Sequence, residues 1–226
     1  MRRSMLTDSK FAKQTIWLLV WGVAFAYIES SVVVYLRKIY YPNGFAFPLV
    51  PIEPKIFLTE VIREAATLVI LWATASLACR RLQNRIAAFL VLFGIWDIFY
   101  YVFLKLLLDW PSSLQTWDIL FLIPLPWAGP VWAPMLVAAS MLLFGFWILR
   151  SNRRRRFYRY DRSFIAAESV AAAIIILSFI IPGMKVLDGD VPRDFPLFLF
   201  GGGYGIGILF FLRYHATSRY HDVEEL

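Results

Sequence analysis

Residues 15–36 read TIWLLVWGVAFAYIESSVVVYL. The stretch is long enough to cross a bilayer, which takes about 20 apolar residues as a helix. Its single charged side chain is Glu29. The apolar length predicts a membrane-spanning helix. The acid predicts a polar site, because a carboxylate in hydrocarbon costs at least about 3 kcal/mol unless something pairs with it or hydrates it.

The apolar pattern recurs over 60–78, 86–108, 129–149, 163–181 and 197–212. Composition agrees: 60% of residues are hydrophobic and 17% charged, with a mean hydropathy of +0.62. A soluble domain is nearer half apolar and a quarter charged. The reading is an all-α, polytopic membrane helix bundle with about six transmembrane helices, and residues 1–226 form a single integral membrane domain. The first run is too long for a signal-peptide core and has no small-residue cleavage site after it, so it is expected to stay as helix one.

Basic residues set the orientation. Arg2, Arg3, Lys10, Lys13, Arg80, Arg81, Arg85, the arginines of 150–162, Arg213 and Arg219 fall on one side. Arg37, Lys38, Lys55, Lys105, Lys185 and Arg193 fall on the other, and Arg63 lies within helix two. The bias predicts a cytoplasmic segment 1–14, a basic cytoplasmic loop 150–162 and a cytoplasmic tail 213–226. Both termini are then cytoplasmic, in a multi-pass protein of the plasma (inner) membrane. The net charge of +7 reads as this topology signal facing anionic lipid, not as a nucleic-acid footprint. The lone Cys79 cannot form an internal disulfide, and its neighbours Arg80 and Arg81 place it on the reducing side.

Residues 109–128, DWPSSLQTWDILFLIPLPWA, break the pattern. The apolar run from Ile119 to Trp127 is too short to span, and Pro124 and Pro126 exclude a regular helix interior. Irregular backbone at membrane depth persists only where protein or water satisfies it. The segment is expected to be re-entrant or interfacial, between helices three and four. A seventh, broken crossing is the alternative.

Acids stand in or beside these runs at Glu29, Glu60, Glu64, Asp97 and Asp118. Spacings of three and four put Gly94, Asp97, Tyr101 and Lys105 on one face of helix three, with Tyr100 at its edge. Glu60, Glu64 and Thr67 share a face of helix two, and Arg63 follows Glu60 by a turn. Gly22, Ala26, Glu29 and Ser30 form a small-and-polar stripe on helix one. If consecutive helices pack as neighbours, these groups meet in the outer half of the bilayer. The candidate site is Glu29, Glu60, Arg63, Glu64, Asp97, Tyr100, Tyr101, Lys105 and Asp118.

The acids on the three helices outnumber the cations Arg63 and Lys105. Either an acid keeps its proton through desolvation and like-charge repulsion, or a bound cation fills the gap. A hard cation suits carboxylate and tyrosine oxygens. No cofactor is predicted. Zinc and haem are not expected, because both histidines, His215 and His221, fall in the cytoplasmic tail. A purely structural reading competes: Glu60 and Lys105 mark helix ends, Arg63 pairs locally with Glu60 or Glu64, and acids suit the start of helix two. Glu168 is expected to pair with the arginine block. GGGYGIG, residues 201–207, reads as close helix packing.

Three function classes follow. The leading one is a carrier or binding protein for a proton, cation or small amphiphile. The second is a membrane enzyme acting on a lipid or isoprenoid, with Glu64 and Asp97 as acid/base and Tyr101 or Tyr100 assisting. The third is a non-catalytic membrane subunit or assembly factor. The expected partners are membrane lipid, a small-molecule or cation ligand and, for the third class, another protein. No nucleic acid is expected.

Overall fold

The computed structural model describes residues 2–153, 158 and 160–217, with side chains from residue 12 onward. Its elements are α1 (Arg2–Tyr40), α2 (Pro54–Ala78), α3 (Leu82–Leu108), β1 (Trp117–Phe121), β2 (Trp127–Pro130), α4 (Trp132–Arg153), α5 (Arg162–Leu187) and α6 (Leu197–Thr217). Residues 154–157, 159 and 218–226, which include arginines of the basic block, Arg219 and His221, lie outside the described residues.

The protein is an all-helical membrane bundle with one small two-stranded sheet. Among the described residues, five helices are long and apolar enough to cross a membrane: Ala12–Tyr40 within α1, then α3, α4, α5 and α6. The sixth helix, α2, carries Glu60, Arg63 and Glu64 in its first half.

The helices overrun their apolar stretches. Hydropathy marks the part that avoids water, whereas backbone hydrogen bonding continues into polar turns. Thus α2 opens on Pro54, whose fixed φ suits a first turn. Helix α5 runs through Pro182 to Leu187. The chain beyond Arg213 stays helical to Thr217. Helix α4 starts at Trp132, not at residue 129, because Gly129 and Pro130 belong to β2.

The irregular segment is non-helical, as its prolines require, but it is more ordered than a bare re-entrant loop. Strands β1 and β2 pair antiparallel, with Trp117 opposite Pro130 and Ile119 opposite Ala128. The register shifts between Ile119 and Phe121. Pro124 and Pro126, which cannot donate to a ladder, fall in the connection between the strands.

The chain packs as two compact units. The first comprises residues 1–45, 67–114 and 134–148. Here glycines bring helices together. A Cβ on Gly94 of α3 would sit 2.5 Å from the Ala138 carbonyl oxygen of α4, and one on Gly145 of α4 would sit 2.6 Å from the Ala87 carbonyl oxygen of α3. Gly22 of α1 instead faces the Ile95 side chain of α3, 3.0 Å from an added Cβ. In lipid, such close backbone approach replaces the hydrophobic drive that packs soluble helices. Leu71, Val91, Leu92 and Leu104 fill the core.

The second unit comprises residues 46–66, 115–133 and 149–226. Helix α5 packs on α6 and on β2. Gly183 of α5 lies against the Pro126 carbonyl, and Gly129 of β2 lies against the Phe179 ring. Trp127 stacks on Phe179 with ring planes 6° apart. Asp161 caps α5: its Oδ1 accepts from the Phe164 amide and the Ser163 hydroxyl, both at 2.8 Å. Those donors stabilise the ionised form and hold the Asp161 carboxyl below the ordinary carboxylate range.

Candidate functional site

In the first unit the stripe on α1 is buried. Ala26 and Ser30 are fully enclosed, and Glu29 is 6% exposed. Thr67 of α2, also buried, donates its hydroxyl to Glu29 Oε2 at 2.8 Å. Ser30 and Ser31 turn their hydroxyls back to the Tyr27 carbonyl, at 2.9 and 2.7 Å. Glu29 thus accepts from a neutral hydroxyl of a neighbouring helix. A carboxyl in that setting can take up and release a proton, or attract a cation, within the apolar length of α1.

The other candidates of this unit behave differently. Asp97 is half-buried on α3. Tyr101 is buried between Tyr100 and Trp110, with ring centroids 5.2 and 6.4 Å away. Lys105 turns outward, and its Nζ pairs with Asp109 at 2.7 Å. That hydrogen bond and the lysine's charge hold the Asp109 carboxyl below its usual range. Lys105 is thus a helix-end cation.

In the second unit the candidates organise the hairpin. Glu64, nearly buried, accepts the Leu122 amide at 2.7 Å on Oε2. Leu122 follows β1, beyond the register shift, where the ladder no longer supplies an acceptor. Asp118 is 1% exposed, and its Oδ1 accepts from the adjacent Ile119 amide at 2.9 Å. Arg63 pairs with Glu60 at 2.9 Å on the same helix, as a local ion pair.

Two groups were not legible as sites. Arg37, at the end of α1, is buried, with its guanidinium carbon 3.6 Å from the centre of Trp110 and 4.4 Å from that of Phe45. Those rings lie far apart in sequence, so no spacing announces the clamp. His215 is 4% exposed. Its ring stacks on Phe211, meets Tyr158 edge-on at 4.1 Å, and places Nε2 3.4 Å from the Tyr160 hydroxyl. Aromatic side chains of α6 and of the connection before α5 enclose the ring.

Cys79 follows α2 and is half-buried. Burial pushes its thiol up, with Arg85 opposing in part, so little thiolate is available for nucleophilic work. Among the described residues no three His, Cys, Asp or Glu side chains are grouped to hold a metal ion.

Fold and composition define a polytopic, membrane-embedded helix bundle. The chain matches no family model, no curated protein and no solved structure.

Proposed function

We infer that the protein is a small multi-pass carrier or binding protein whose working group is Glu29. The supporting observation is the Glu29–Thr67 hydrogen bond, which holds a buried carboxyl inside an apolar helix. Ionisable groups inside membrane proteins are costly and tend to mark ion or proton pathways. The ligand is a proton or a small organic cation. A hard metal ion would call for several oxygen ligands, and the grouping of acids among the described residues does not favour one.

The Leu122 amide donates to the Glu64 carboxyl, a positioning contact that favours a structural role for that acid over an acid/base one. The positive-inside bias of the sequence supports cytoplasmic termini and an inner-membrane location.

Tetraphenylphosphonium, an amphiphilic organic cation, is a suitable probe. Its binding to the purified protein is followed by tryptophan fluorescence in nanodiscs. Binding should weaken as the medium is acidified, because protons compete for Glu29. Glu29→Gln should bind about tenfold more weakly and lose the pH dependence. Unchanged affinity and unchanged pH dependence in Glu29→Gln would remove Glu29 as the ligand-binding group.

A further inference from the structure

Glu168 lies on α5 where that helix meets α6. Opposite it stands Gly207, where an added Cβ would be 3.5 Å from Glu168 Oε2 and 3.5 Å from Ala171 Cβ. One turn away, Gly203 closes the same seam against Ala171 and Ile174. Glu168 is half-buried, and its Oε2 lies against this glycine-and-alanine seam. Glu168 Oε1 is buried and has no hydrogen-bond partner. Of the arginine block expected to pair with Glu168, the described Arg150, Arg153 and Arg162 do not do so, and the other arginines lie outside the described residues.

Among the described residues, neighbouring charges do not supply a counterion. On the elements packed against α5, the titratable side chains are Tyr204, Arg213, Tyr214 and His215 of α6, and β2 has none. The His215 ring contacts the Phe211 carbonyl oxygen at 2.7 Å and Tyr160 at 3.4 Å. Helix α5 itself carries Arg162 and Lys185 at its two ends, with Asp161 as its cap. Among the described residues none of these forms a hydrogen bond or ion pair with Glu168.

An ionised carboxylate without a partner in an apolar seam is strongly disfavoured, whereas the neutral acid costs far less there. We propose that Glu168 is a proton-binding site at the α5–α6 seam and holds its proton in the resting protein. The site belongs to the second unit and is independent of Glu29, so either can fail without the other.

Infrared difference spectroscopy on the full protein in nanodiscs tests this. At neutral pH the wild type should show the carbonyl band of a protonated, weakly hydrogen-bonded carboxylic acid. Glu168→Gln should lose the intensity of about one such acid, and Glu29→Gln should keep it. Thermal unfolding gives a second readout: raising the pH should destabilise the wild type relative to Glu168→Gln. If Glu168→Gln does not reconstitute, Glu168→Asp should retain an acid band at a shifted frequency. The proposal is overturned if the neutral-pH band is the same in wild type and Glu168→Gln, if Glu168→Asp leaves it unshifted, or if the two unfolding profiles stay parallel as pH rises.

Discussion

Thr67 Oγ1 donates a 2.8 Å hydrogen bond to Glu29 Oε2, and both side chains are buried. Removing a donor from a buried acceptor costs about 1–3 kcal/mol, because the acceptor keeps its desolvation penalty. Thr67→Val preserves shape and deletes the hydroxyl. It should lower thermal stability by about that amount in nanodiscs, whereas Thr67→Ser should lose less. Equal melting of Thr67→Val and wild type would show that the bond contributes nothing.

Glu64 serves the hairpin through its 2.7 Å bond from the Leu122 amide. Glu64→Ala removes a charged acceptor and should cost about 2 kcal/mol. Glu64→Gln keeps a carbonyl acceptor and should cost less. Hydrogen exchange at the Leu122 amide reports the difference locally, with fast exchange expected in Glu64→Ala.

Arg37 stacks against Trp110 and Phe45. A desolvated cation–π contact is worth about 2 kcal/mol, and lysine lacks the planar guanidinium that lies on a ring. Arg37→Lys should therefore lower the unfolding midpoint and alter the tryptophan emission. A midpoint equal to that of the wild type would leave the clamp without energetic weight.

Asp161 provides the pH-dependent prediction. Its carboxyl titrates lower in the folded chain than in the unfolded one. Its contribution is then fully present above the unfolded value and is lost as pH falls through the folded value. Acidification should speed amide exchange in the first turn of α5, at Phe164 above all. Asp161→Asn retains a capping oxygen, and its exchange there should be insensitive to pH across the same range.

Much of the fold was readable because it rests on apolar length. The run around Glu29 and the later runs correspond to helices, and the prolines at 124 and 126 kept their segment out of helix. The hairpin was less visible: the register shift after Ile119 and the Glu64–Leu122 bond are long-range events that no local period encodes. Face assignments held only as far as one helix reaches. The spacing put Glu29 with Gly22 and Ala26 on the stripe that is buried. It also grouped Lys105 with Asp97, although Lys105 turns to Asp109, four residues on, because a long side chain at a helix end can leave its face. Glycine periodicity announced packing without saying on which side. Gly203 meets α5, whereas Gly201, Gly202 and Gly205 meet nothing within 4 Å.

The role of Glu29 is tested most directly by proton flux into proteoliposomes carrying a pH-sensitive dye, after an imposed pH gradient and with tetraphenylphosphonium present. Wild-type protein should collapse the gradient, Glu29→Gln should slow the collapse about tenfold or more, and Glu29→Asp should restore part of the rate. Equal rates for wild type and Glu29→Gln, with both proteins folded and equally reconstituted, would contradict a working role for the buried acid of α1.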